Sequence, residues 1–226
     1  HLRQLWCQKR MKMNDASTID YLRNGPAEAP LRIALAHGAG QGMDSDFMNL
    51  VAEGVGDTGF EVLRFEFPYM ARRRTTGKKA GPDRAPVLLE TWREVIRTFD
   101  DRPLIIGGKS MGGRIASMVA DEMSVAGVVC LGYPFHPPGK PEKLRTEHLA
   151  GLQTPCLICQ GERDPFGKQK EVATYSLSGK IELCWVGDGD HSFKPRKKSG
   201  RTEAQNIELA ITSVAGFANS LARPNG

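Results

Sequence analysis

Leu104-Ile-Ile-Gly-Gly-Lys-Ser-Met-Gly-Gly113 decides how this chain is read. A short β-rich apolar run ends in two glycines, a serine stands between glycines at the spacing G-x-S-x-G (Gly108, Ser110, Gly112), and an amphipathic segment follows at once. This is the sequence form of a nucleophile elbow, a sharp strand-to-helix turn with a hydroxyl at its apex. Glycines are required because the neighbouring backbone passes too closely for a Cβ. The turn also places the serine at a helix N-terminus, where the macrodipole and free N–H groups can stabilise a developing negative charge. Gly108-Lys-Ser110 also resembles the end of a phosphate-binding loop, but G-x-x-x-x-G-K-S would need glycine where Pro103 stands, and strand residues fill the interval.

Outward from the elbow, apolar strand-like runs alternate with amphipathic segments. Leu31–His37 reads as a buried strand, preceded by an edge strand near Thr18–Leu22, and ends in the second glycine turn, His37-Gly-Ala-Gly40. Asp44 or Ser45 can cap a helix with Phe47, Leu50, Val51 and Val55 on its apolar face. The strand Phe60–Phe67 stops at Pro68, and Tyr69–Ala85, polar and basic, reads as a long loop of the kind that is functional or disordered. Pro86 opens a helix carrying Leu88, Trp92, Val95, Ile96 and Phe99. After the elbow come a helix over 111–123, a strand over 126–132, the proline-rich loop 133–139 and a short helix over 142–149. A strand over 155–160, a helix over 168–177, a strand over 181–186 and a final helix over 202–221 complete the order. The alternation predicts an α/β fold: a doubly wound, mostly parallel sheet with helices on both faces. Residues 1–16 are expected to be a flexible N-terminal extension and 17–226 a single domain.

The 226 residues are 40% hydrophobic, enough for one core that removes roughly 70–75% of the unfolded surface from water. No apolar run reaches the ~18 residues of a membrane span, and residues 1–10 lack the apolar core of a signal peptide. The cysteines at 7, 130, 156, 159 and 184 are odd in number and mostly inside apolar runs, which suits reduced core thiols and a cytoplasmic location. Cys156 and Cys159 form C-x-x-C, yet on a strand they point to opposite faces, and no second pair completes a zinc site. The net charge of +5 is concentrated in residues 72–79, with five basic groups in eight positions, and at Lys194, Arg196, Lys197 and Lys198. No nucleic-acid-binding motif accompanies either cluster, so nucleic acid is not the expected partner. The first cluster is either a solvated loop or a rim that favours an anionic substrate or partner surface.

Ligands bind such sheets outside the carboxyl ends of the strands, and the turns there supply His37–Gly40, Ser110, Asp164 and His191. The last three follow the order serine, acid, histidine. A serine hydroxyl is a weak nucleophile at neutral pH and needs an imidazole to take its proton, and a carboxylate to hold that imidazole in the right tautomer. Ser110, His191 and Asp164 are assigned those roles, with Asp188, Asp190 and Glu162 as rivals for the acid. Backbone N–H groups of Met111 and Ala39 (or Gly40) would make a two-donor oxyanion hole. His37 is expected to shape its loop through a hydrogen bond, and His1, His136 and His148 to be surface or structural residues. No metal or cofactor is called for.

Together, His37-Gly-Ala-Gly40, Phe67-Pro-Tyr69, Gly108-Lys-Ser-Met-Gly-Gly113, Gly132-Tyr-Pro-Phe-His136, Gly161-Glu-Arg-Asp-Pro-Phe-Gly167 and Asp190-His-Ser-Phe193 resemble the α/β-hydrolase fold. Within it they look like the small cap-less predicted hydrolases, the bacterial and testis-expressed-type (KANL-like) family. The resemblance covers residues 31–217 and implies an esterase-like serine hydrolase acting on a small acyl substrate. That family also contains a chromatin-complex subunit whose hydrolase-like domain serves assembly, so the resemblance equally admits a non-catalytic interaction module. Dienelactone hydrolases place a cysteine at the elbow, and the serine at 110 argues against that subclass.

Overall fold

A computed structural model describes residues 19–222. The extension expected over 1–16, Cys7 and Thr18 lie outside the described residues. Seven strands form one sheet in the order β1-β3-β2-β4-β5-β6-β7. They are β1 (Tyr21–Asn24), β2 (Arg32–Ala36), β3 (Glu61–Phe65), β4 (Leu104–Lys109), β5 (Gly127–Leu131), β6 (Cys156–Gly161) and β7 (Ile181–Val186). Only β1 runs antiparallel, pairing Tyr21 with Phe65 at the sheet edge. The helices are α1 (Asp46–Asp57), α2 (Pro68–Thr76), α3 (Ala85–Thr98), α4 (Met111–Met123), α5 (Gln169–Val172) and α6 (Glu203–Ala222). The expected doubly wound, mostly parallel α/β sheet is what the chain forms.

Strand alternation splits the core into two layers. Ala34, Ile106, Val128, Cys130, Cys156 and Ile158 face Trp92 and Val95 of α3 and Ile115 and Val119 of α4. Ile33, Leu35, Ile105, Val129, Leu157 and Cys159 face Met48 and Val51 of α1 and Ile207, Ala210 and Val214 of α6. Cys156 and Cys159 therefore lie on opposite faces of β6, as their odd spacing requires. Among the described residues no helix is long and apolar enough to cross a membrane.

Three expected elements need correction. Tyr69–Ala85 is not a long loop: Pro68–Thr76 is helical, with proline in the first turn and Gly77 at φ +68° closing the end. Little apolar periodicity marks it, because only Tyr69 and Met70 are buried; ion pairs to other segments hold the rest. Arg72 meets Asp83, and Arg74 meets Glu66 at 2.6 Å and Asp44 at 2.5 Å. Of the expected helix over 142–149, only a 3₁₀ turn at Glu147–Ala150 exists. The helix expected over 168–177 shrinks to Gln169–Val172, and the chain beyond it turns away to dock Ser178 on the Leu149 and Leu152 carbonyls.

The chain order reverses between β2 and β4: the first crossover leads to β3 on one side and the next returns to β4 on the other. Such a switch point opens a crevice at the strand carboxyl ends, and the turns after β2 and β4 border it.

Candidate active site

Ser110 sits at φ +52°, ψ −115°, between the last residue of β4 and the first turn of α4. This backbone is strained for a residue with a side chain. The glycines beside it make the turn sterically feasible. A Cβ on Gly108, whose φ is +144°, would stand 2.0 Å from the Ala36 carbonyl oxygen, and one on Gly112 2.5 Å from the same atom. The elbow is thus pressed against the end of β2, and the Ser110 N–H is tied to the Leu131 carbonyl of β5 at 3.0 Å.

Asp164 comes from the turn after β6 and is fully buried. Its Oδ2 accepts from His191 Nδ1 at 2.7 Å and from Gln160 Nε2 at 3.0 Å, while Oδ1 accepts from the Phe166 N–H at 2.9 Å. His191, on the loop after β7, turns its Nε2 to Ser110 Oγ at 2.9 Å. Three strand ends thus bring together three side chains spread over 81 positions of sequence, from Ser110 to His191. With Nδ1–H bonded to the carboxylate, Nε2 is left as the acceptor facing the hydroxyl. The Phe166 ring lies against the imidazole, centroids 4.3 Å apart.

The rivals for the acid are occupied elsewhere. Asp188 is ion-paired with Arg196 and Arg163, and the Arg196 hydrogen bonds hold its carboxyl down at about 2. Asp190 Oδ1 accepts the N–H groups of Ser192 and Lys194, shaping the histidine loop. Glu162 accepts the Asp188 N–H.

His37 is fully buried. Its Nε2 accepts the Phe67 N–H at 3.1 Å, so the ring is neutral with its proton on Nδ1, which donates to the Gly38 carbonyl at 2.6 Å. Burial pushes its pKa down, favouring that neutral form. It shapes the glycine turn, as expected. His136 is buried and bonded to the Pro137 carbonyl, and His148 meets Ser117 Oγ at 2.8 Å; neither approaches Ser110.

The glycine turn after β2 packs onto the elbow: a Cβ on Gly38 would be 3.7 Å from Ser110 Cβ. Its carbonyls are engaged by α2, through Tyr69 Oη to Ala39 O at 2.9 Å and Arg73 Nη1 to Gly40 O at 3.3 Å. Ala39 is exposed, and Met111 opens α4, where the first N–H groups have no intrahelical acceptor. An open cleft of about 450 Å³ beside this turn is lined by residues that include Gly40, Gln41, Asp44, Asp46, Met70, Arg73 and Arg74. Among the described residues no group of three or more His, Cys, Asp or Glu side chains could hold a metal ion.

Two participants escaped the sequence reading. Gln160, fully buried at the end of β6, accepts the Tyr133 N–H at 2.7 Å and donates to the Tyr133 and Gly167 carbonyls as well as to Asp164. A polar residue ending an otherwise apolar strand was its only signal. Lys109, directly before Ser110, reaches the His191 backbone carbonyl with its ammonium. Its neighbour across 82 positions could not be inferred from the sequence.

Residues 29–219 match the family described as alpha/beta hydrolase domain. Solved structures share the fold. One is an alpha-beta serine hydrolase homologue from Coxiella burnetii (20% identity, 87% of this chain and 92% of that one, TM-score 0.64). Another is an α/β serine hydrolase without lid from Xanthomonas campestris (17%, 88% and 89%, 0.61). A third is Est1E from Butyrivibrio proteoclasticus (14%, 90% and 94%, 0.67).

Proposed function

Because the chain belongs to the alpha/beta hydrolase domain family, we propose that it is an esterase-like serine hydrolase that cleaves an ester or related acyl bond through an acyl-enzyme on Ser110. The observation that carries this reading is the continuous hydrogen-bonded relay from buried Asp164 through His191 to Ser110 Oγ. A non-catalytic interaction module would have no use for a buried carboxylate, an oriented imidazole and a serine held in strained backbone at one crevice.

In the proposed reaction Ser110 Oγ attacks the acyl carbon as its proton passes to His191 Nε2. Asp164 stabilises the resulting imidazolium through Nδ1–H. The carbonyl oxygen, now an oxyanion, accepts from the backbone N–H groups of Met111 and Ala39, helped by the N-terminal end of α4. Collapse breaks the bond to the leaving alcohol, which takes the proton from Nε2 and departs. Water then loses a proton to Nε2, attacks the acyl carbon, and the acid leaves as Ser110 regains its proton.

Within the family, the Gly108-Lys-Ser-Met-Gly-Gly113 stretch resembles that of the small cap-less, KANL-like hydrolases, and we propose that the chain falls with them. The short connection between β5 and β6 agrees, since residues 133–155 hold only one 3₁₀ turn. Arg73 at the cleft, with no carboxylate partner among the described residues, favours acyl substrates carrying a negative charge. Buried free thiols at Cys130, Cys156 and Cys159 suit a reducing compartment, and we place the protein in the cytoplasm. Labelling with a fluorophosphonate probe, followed by mass-spectrometric mapping and a panel of esters, tests the reading. An adduct on a residue other than Ser110, or no adduct, would overturn it.

A further inference from the structure

Lys109 is an ionisable side chain at the site that the reaction above does not use. It is the last residue of β4, directly before Ser110. The ammonium donates to the backbone carbonyl of His191 and lies over the rings of Phe47 (5.1 Å) and Phe193 (5.8 Å). The space it fills is reserved for it. A Cβ on Gly132 at the end of β5, where φ is +72°, would fall 2.8 Å from Nζ, 3.0 Å from the His191 carbonyl oxygen and 3.3 Å from its Nδ1. Amine, carbonyl and imidazole thus meet at one glycine-lined corner.

We propose that Lys109 is a positioning residue: by holding the His191 carbonyl, its ammonium fixes the loop after β7 so that the imidazole spans Asp164 and Ser110. The proposal rests on the relay having the role assigned under Proposed function. The loop has other ties. Asp190 holds the Ser192 and Lys194 N–H groups, and Asn206 of α6 donates to the Gly187 and Phe193 carbonyls. These secure its flanks, whereas among the described residues only Lys109 grips the carbonyl of the histidine itself. A charge-assisted hydrogen bond is roughly twice as strong as a neutral one, so the grip depends on the proton.

That proton is held loosely. Burial among the Phe rings and strand ends pushes the Lys109 pKa down to about 8, against the attraction of Asp164 and Asp190, the charged groups that face it from the turn after β6 and the histidine loop. The phenylalanines from α1 and the loop, and Gly132 from β5, supply no charge. Raising the pH through about 8 should therefore slacken the histidine without touching any reacting atom.

Two measurements on the wild type, Lys109→Met and Lys109→Arg test this. The first follows the His191 ring resonances by NMR against pH. Wild type should show an inflection near 8, Lys109→Met should lack it, and Lys109→Arg, which keeps its charge, should hold the low-pH shift to higher pH. The second is the rate of fluorophosphonate labelling of Ser110 over the same range. Lys109→Met should be slower by up to about 10²-fold at pH 7, the scale set by misplacing a catalytic group by ~1 Å. Its alkaline limb should vanish, and arginine should restore part of the rate. Thermal melts show whether each variant is folded, and the wild-type profiles stand without any variant. A wild-type His191 resonance flat through pH 8, or the same inflection in folded Lys109→Met, overturns the positioning role whatever the labelling rates. An inflection that tracks Lys109 while Ser110 never labels would support the positioning role and refute only the hydrolase reading.

Discussion

Replacing Asp164 by asparagine is the sharpest perturbation of the relay, because the buried hydrogen bonds around it decide which way the new amide must point. Aspartate accepts at both oxygens: Oδ1 from the Phe166 N–H, Oδ2 from His191 Nδ1 and Gln160 Nε2. Asparagine must put its NH₂ at one of the two positions. At the Oδ1 position the NH₂ would face the fixed Phe166 N–H, donor against donor, at a cost of about 1–3 kcal/mol for a buried unsatisfied group. At the Oδ2 position it opposes Gln160, whose amide has two further acceptors in the Tyr133 and Gly167 carbonyls, each at 3.2 Å. The second arrangement wins. It then donates to His191 Nδ1, which forces the imidazole proton onto Nε2 and turns a hydrogen toward Ser110 where an acceptor is needed. Turnover should fall by about 10⁴-fold, the loss recorded for the same change in a serine protease triad, or about 5.5 kcal/mol. Asp188→Asn and Asp190→Asn should each lose less than about tenfold, because the first carboxylate serves Arg196 and Arg163 and the second serves loop N–H groups. Steady-state hydrolysis of a chromogenic ester at pH 7 measures all three. An Asp164→Asn enzyme within tenfold of wild type, or an equal loss in either of the others, would refute the assignment and the amide argument with it.

Ser110→Ala should abolish probe labelling and lower turnover by about 10⁶-fold, whereas Ser110→Gly, equally inactive, should resist urea better by about 1–3 kcal/mol because φ +52° then costs nothing; equal midpoints would remove the strain. Arg73→Ser should lower kcat/KM for a negatively charged ester about fivefold, one contact of ~1 kcal/mol in water, and spare a neutral ester; equal effects on both would return the basic stretch to solvent. Lys109 gives a stability signature of opposite sign to its effect on labelling. Below about 8 both folded and unfolded chains carry its proton, and between there and the ordinary 10.5 only the unfolded chain does, so wild-type stability relative to Lys109→Met should rise with pH across that window. A flat difference from pH 7.5 to 10.5, measured by urea denaturation, would place the lysine's proton loss elsewhere.

The strands and the three side chains of the relay were legible because each is marked locally: apolar runs for the strands, a glycine-framed serine, and an acid and a histidine just past strand ends. What was not legible depends on distance. The helix at Pro68–Thr76 has almost no buried stripe and is held by ion pairs to Asp83, Glu66 and Asp44 outside it, pairings that hydrophobic periodicity does not register. Its Pro68 start and Gly77 stop were the overlooked signals. The same ion pairs engage two of the five basic groups of 72–79, Arg72 and Arg74, leaving Arg73 at the cleft without a carboxylate partner among the described residues. The helix expected over 142–149 failed for the opposite reason: helix-forming residues were present, but residues 142–144 stay exposed and Leu149 is the buried hydrophobic of the segment, so no apolar stripe holds a longer helix. That Asp164 rather than Asp188 meets His191 was legible from loop membership, while the contacts of Gln160 and Lys109 needed coordinates.

The contacts around the elbow also divide its residues by how freely they can be exchanged. Gly108 and Gly112 are each within 2.5 Å of the Ala36 oxygen at the point where a Cβ would be added, and Gly107 would strike the Val129 carbonyl of β5 at 1.9 Å. A side chain at Gly107 or Gly108 must part β4 from its neighbours, and one at Gly112 must push α4 off the end of β2, so the turn admits almost no variation. Ser110, in contrast, is only partly buried, with its Oγ against His191, and could become cysteine or aspartate without moving a strand. The scaffold therefore behaves as a socket: the reactive group can be replaced over evolutionary time or by design, and the chemistry changed, while the mount stays as it is.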